Sequence, residues 1–186
     1  MSKNLSLHAI DALLIIDNEG NRVFGKYYNV SEESELYQLT NQRTFEKSLF
    51  KKTHKQNAEI LIFENRLVLY KEILDITIYI ISSLEENEIT LSEILGSFED
   101  ALNSLLNFTI EKKTILENYD KVVIAIDELI DDGIILESES SIIKDRTSDT
   151  PVNEIPSLKN IDLSEKGLFN AFKFGAGKLA ERFGNM

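Results

Sequence analysis

The stretch LLIIDNEGNRVFGKYY, from Leu13 to Tyr28, limits the choice of folds more than any other part of the chain. Leu13 to Ile16 form an unbroken apolar run, and Asp17-Asn18-Glu19-Gly20 then supplies turn chemistry, with Gly20 free to take a positive φ. Apolar and polar residues alternate again through Val23, Phe24, Tyr27 and Tyr28. This pattern predicts a β-hairpin close to the N-terminus.

Downstream, three more strands are expected at Ala58 to Glu64, Leu67 to Glu72 and Ile76 to Ser82, the first two linked tightly at Asn65-Arg66. The runs EILIF and ITIYII are apolar at successive positions, which requires cover on both faces of a sheet. Helices supply that cover. Ser31 can cap a helix over about Glu32 to Lys52, with Glu32, Glu33 and Glu35 at its start and Lys51, Lys52 and Lys55 at its end, as the helix dipole favours. Leu91, Ile94, Leu95, Phe98, Leu102, Leu105 and Leu106 recur at helical spacing and predict a second helix from about Asn87 to Asn107. Ile115, Leu116, Tyr119, Val122, Val123, Ile126, Leu129 and Ile130 repeat the stripe, with Gly133 placed to end a third helix. The order β-β-α-β-β-β-α-α predicts an α/β (α+β) fold, a five-stranded antiparallel sheet sandwiched between one helix and two helices.

The 186 residues suit one domain with an appendage. Both prolines, Pro151 and Pro156, lie in a polar stretch, so residues 1–146 are expected to form the domain, 147–160 a linker and 161–186 a flexible C-terminal tail. Within the tail, Leu168, Phe169, Phe172, Leu179 and Phe183 are candidate docking residues on an amphipathic helix. Gly175 and Gly177 weaken that helix, so it is expected to fold only on a partner or membrane; the alternative is that the tail packs on its own domain or stays disordered.

Catalytic chemistry finds little support. The chain has no cysteine and only two histidines, His8 and His54, which leaves little for zinc or thiolate chemistry. Gly175-Ala176-Gly177-Lys178 lacks the preceding glycine and following hydroxyl residue of a phosphate loop. Asp17-Asn18-Glu19-Gly20 and Asp131-Asp132-Gly133 lack calcium-loop spacing and read as a turn and a cap. Glu85, Glu86, Glu88 and Glu93 crowd the start of the second helix, where a capping box from Ser83 to Glu86 accounts for them. Lys47, Lys51, Lys52, His54 and Lys55 are better explained by helix-end charge complementarity than by an anionic ligand. The net charge of −12 disfavours nucleic acid. No apolar run reaches the roughly 20 residues that span a bilayer and no signal peptide is visible, so a cytoplasmic protein with no cofactor or metal is expected.

The hairpin, FEKSLFKKTH from Phe45 to His54, Tyr70-Lys71, Asn87-Glu88 and DELIDDGIILES from Asp127 to Ser138 occur in an order that resembles the coatomer zeta family. These are small chains of a vesicle coat, related to the sigma chains of clathrin adaptors. The resemblance covers residues 8 to 146 and implies a longin-like fold without catalytic activity. It also implies binding to the trunk of the coatomer gamma subunit beside the other coatomer subunits. Association with an Arf-class GTPase and the Golgi membrane would be indirect, in retrograde Golgi-to-ER and intra-Golgi transport. Helix 1 and the edge strand are then the expected contact surfaces, with Phe24, Tyr27, Tyr28, Phe45, Leu49 and Phe50 as partner-binding residues. The alternative is a longin-domain subunit of another trafficking complex, or a sigma-like adaptor chain.

Overall fold

The chain forms the expected hairpin first. In the computed structural model, which describes residues 8–28, 36, 38–56 and 58–148, β1 (Ala12–Asp17) pairs antiparallel with β2 (Arg22–Tyr27). Gly20 closes the turn at φ 84°. Asp17 accepts hydrogen bonds at Oδ1 from the backbone N–H groups of Glu19 (3.0 Å) and Asn21 (2.7 Å), so its side chain organises the turn.

Helix α1 (Leu39–Thr53) starts later than the sequence predicts. Gln38 is extended (φ −87°, ψ 130°) and its carbonyl accepts from Asn41 and Gln42, so the helix begins there; the proposed Ser31 cap lies outside the described residues. The basic end holds, with Lys51 and Lys52 in the last turn.

Strands β3 (Ile60–Phe63), β4 (Arg66–Ile73) and β5 (Ile76–Ser82) follow. The β3–β4 turn is Glu64-Asn65, both at positive φ (46° and 59°), and Arg66 already belongs to β4, which corrects the predicted Asn65-Arg66 link. A two-residue hairpin with both central φ values positive matches strand twist, and Asn tolerates that region.

Helix α2 (Glu88–Leu105) is capped by Asn87, whose side chain accepts from Ile89 N–H at 2.9 Å. The capping box expected from Ser83 to Glu86 is absent: Ser83 Oγ accepts from Glu85 N–H instead (3.2 Å). The predicted third helix is two, α3 (Lys112–Glu117) and α4 (Tyr119–Leu129), because Asn118 leaves helical geometry at φ −121°. Ile130 is extended, and β6 (Ile130–Asp131) pairs with β7 (Ile134–Ile135) around Asp132 and Gly133 at φ 47° and 79°. Gly133 thus serves a hairpin turn and not a helix C-terminus. A helix the sequence reading missed, α5 (Ser140–Ser148), takes in the first two residues of the expected linker; the rest of the linker and the tail lie outside the described residues.

The sheet order is β2-β1-β5-β4-β3, antiparallel throughout. Every residue of β1 and β5 is buried, as strands covered on both faces must be. On one face Leu14, Ile16, Val68, Tyr79 and Ile81 pack against Phe45 and Leu49 of α1. On the other, Leu13, Ile15, Leu69, Ile78 and Ile80 meet Phe98 and Leu102 of α2, Val122 and Ile126 of α4, and Ile143 of α5. Tyr79 is wholly buried and its hydroxyl lies 2.7 Å from Thr53 Oγ1, which satisfies both groups; burial pushes the phenol pKa up to about 12.

Candidate partner-binding surface

Strand β2 forms one edge of the sheet and is pinned on both faces. Toward α1, the Arg22 guanidinium donates from Nε to Glu46 Oε2 at 3.0 Å, from Nη2 to Gln42 Oε1 at 3.1 Å, and from Nη2 to Glu46 Oε1. Tyr27 Oη donates to Glu46 Oε1 at 2.9 Å, and the Arg22 guanidinium carbon lies 5.7 Å from the Tyr27 ring centre. Gly25 makes room for this arrangement, because a Cβ there would come within 2.9 Å of Arg22 Nε. Burial and the Glu46 carboxylate together push the Tyr27 pKa far above its ordinary value.

Toward α4, Lys26 Nζ donates to Asp127 Oδ1 at 2.8 Å and sits 5.2 Å from the centre of the Tyr28 ring. Phe24 packs near Tyr119, ring centres 6.3 Å apart. Strand β2 therefore presents a fixed surface with a buried ion pair on one side and an exposed one on the other.

The six residues expected to bind a partner divide by burial. Phe24, Tyr28, Phe45 and Leu49 are core residues, and Phe45 packs on Phe63 with ring centres 5.5 Å apart. Tyr27 and Phe50 are half-buried. Phe50 lies against Gly20, where a Cβ would come within 2.9 Å of the ring, and stacks on His54 at 4.8 Å between centres. His54 thus covers Phe50, and its Nδ1 stands 3.8 Å from Glu72 Oε1. The basic cluster remains at the end of α1.

Sequence reasoning missed Arg22, Gln42 and Glu46. The available signals were a glutamate at helical spacing between Leu49 and Gln42 and a glycine inside a strand, which marks a close approach. Tail residues Leu168, Phe169, Phe172, Leu179 and Phe183 lie outside the described residues.

Among the described residues, no three His, Asp or Glu side chains converge as metal ligands, and no helix is long and apolar enough to cross a membrane. Asp17 and Asp75 instead hold structure together: Asp17 Oδ2 accepts from Lys112 Nζ at 2.8 Å and Asp75 Oδ1 from Lys112 N–H at 2.9 Å. The two acidic groups fasten the hairpin turns to the start of α3.

Residues 9–150 match a family model described as clathrin adaptor complex small chain. The chain is 48% identical over 185 residues to the coatomer subunit zeta of Saccharomyces cerevisiae, covering 96% of each protein. That match takes in residues beyond Arg146, where the sequence reading found no family motif. Coatomer subunit zeta-1 of Homo sapiens is 38% identical over 153 residues, covering 80% of this chain and 84% of the relative. The probable coatomer subunit zeta-A of Dictyostelium discoideum is 39% identical over 163 residues, covering 86% and 87%. A chain from a homology model of the full-length AP-3 complex shares the fold at a TM-score of 0.59 and 14% identity, covering 74% of this chain and 90% of that one. The chain therefore belongs to the coatomer zeta family, within the clathrin adaptor complex small chains.

Proposed function

We propose that this protein is a non-enzymatic structural subunit of the coatomer vesicle coat, held by the trunk of the gamma subunit. It acts in the cytoplasm and, within the coat, at the surface of Golgi membranes, in retrograde Golgi-to-ER and intra-Golgi transport. The reading rests on the 48% identity to a coatomer zeta subunit across nearly the whole chain. Contact with an Arf-class GTPase is indirect, through the other coat subunits.

The geometry of β2 and α1 agrees with a trunk-binding surface. The buried Arg22–Glu46 pair holds strand and helix in a fixed relation, so docking there would cost little ordering. Tyr27 and Phe50 supply accessible aromatic area over Phe45 and Leu49, while Phe24 and Tyr28 fix β2 from its other face, toward α4. The tail, through Leu168, Phe169, Phe172, Leu179 and Phe183, forms a second docking segment for the coat or the membrane.

Affinity purification of the tagged full-length protein from its own cells tests the reading. Recovery of coatomer subunits in fixed proportion, with gamma among them, is the expected result; recovery of a different adaptor complex would refute it.

A further inference from the structure

The opposite edge of the sheet carries a feature that trunk binding through β2 leaves unused. Helix α2 packs over β4 and stops short of β3, leaving Ile60 and Ile62 exposed at 44% and 68%. A groove of 660 Å³ opens between β3, β4 and α2, with Leu69, Tyr70 and Leu95 beneath it and Ile60 and Ile89 on its walls. Ile89 is 73% exposed on the first turn of α2.

Gly96 also lines the groove, in the interior of α2. A Cβ at Gly96 would meet nothing within 4 Å, so no contact within the described residues requires a glycine there. Glycine in a helix interior is unfavourable relative to alanine, and its presence facing open space fits a surface that another chain approaches closely.

The backbone of β3 is available as well. Tyr70 N–H donates to Glu59 C=O, and the alternation of an antiparallel ladder then turns the N–H and C=O groups of Ile60 and Ile62 away from β4. Their side chains lie on the α2 side of the sheet, opposite Leu69 and Leu67. The strand has no proline, lysine or bulge to block a further strand.

The charge around the groove selects the occupant. Glu59, Glu88 and Glu93 rim it, and the one cation lining it among the described residues, Lys71, is paired with Glu99 at 2.5 Å. Such a rim opposes a second copy of the same acidic edge, an anionic lipid surface and nucleic acid.

We propose that the groove beside β3 binds an extended segment of a partner protein in which Lys or Arg alternates with large aliphatic residues, added to the sheet as a sixth strand. Its aliphatic side chains, on the α2 side of the sheet, fill the space over Ile60, Ile89 and Gly96; its basic ones, on the opposite face, meet Glu59, and the carboxylates of Glu88 and Glu93 attract the segment at longer range. The site is independent of the β2–α1 surface and remains open when that surface is occupied.

The test uses full-length protein and a capped synthetic heptapeptide, Lys-Leu-Lys-Ile-Arg-Leu-Lys, with a control of the same composition whose aliphatic residues are contiguous. Calorimetry should give saturable one-to-one binding, at least tenfold tighter than the control. Amide exchange followed by NMR should slow at least tenfold at Ile60 and Ile62. Gly96→Trp should weaken binding at least tenfold with the melting temperature retained, and Glu93→Lys, an exposed substitution, should weaken it severalfold. Equal binding of the control, full binding by both variants, exchange protection elsewhere, or self-association through β3 seen by sedimentation would each overturn the proposal.

Discussion

Arg22 on β2 and Glu46 on α1 form an ion pair whose side chains are only 12% and 3% exposed, with Gln42 and Tyr27 completing the hydrogen bonds. Removing one partner of such a pair leaves a buried charge without compensation, which typically costs about 3–5 kcal/mol. Glu46→Ala should lower unfolding stability by about that amount in urea titrations. The double variant Arg22→Met with Glu46→Leu should recover most of it, because the charges leave together; equal loss in both proteins would show that the pair is not the source.

Asp17 gives the domain a distinct acid sensitivity. Burial alone would raise its pKa, but hydrogen bonds from the Lys112 side chain, Asn21 and Glu19 outweigh burial and hold it below the ordinary 3.8. A carboxylate with a lowered folded-state pKa contributes stability above its unfolded value, and that contribution is lost as the pH falls through the folded one. Stability should therefore drop below about pH 4 with a component that Asp17→Asn removes. Chemical denaturation of both proteins between pH 7 and pH 2.5 checks this.

Two glycines should respond in opposite directions. Gly20 sits at φ 84° with the Phe50 ring 2.9 Å from any added Cβ, so Gly20→Ala should destabilise by more than about 1 kcal/mol. Gly96→Ala should stabilise by up to about 1 kcal/mol, since it removes helix-interior glycine and meets no neighbour. Thermal melts of the two variants beside the parent separate these effects.

Phe98 and Leu102 are fully buried against the sheet. Truncation of either to Ala should cost about 2–5 kcal/mol through lost transfer energy and a residual cavity. Partner binding should fall only as far as the folded fraction does, which binding assays at a temperature well below the variant's melting point can measure.

The parts legible in sequence were those whose signal is local. The apolar runs of β1 and β5, the Asp17 to Gly20 turn and the α2 stripe all follow from neighbouring residues, and each element formed within a few positions of its expected place. The stripe from Ile115 to Leu129 concealed the break at Asn118, because both short helices bury the same side. Helix α5 buries only Ile143 and Thr147, too few residues to mark a period. The Arg22–Glu46 pair joins positions 24 residues apart, and the groove at Gly96 joins a helix to a strand edge; periodicity records neither.

Reconstitution tests the proposed permanent contact with the gamma subunit of the coat. Full-length protein mixed with the gamma trunk at near-physiological salt should elute as a stable one-to-one complex by size exclusion with light scattering, with a buried surface of about 2,000 Å² or more in its structure. Separate elution of the two proteins under those conditions would contradict the account.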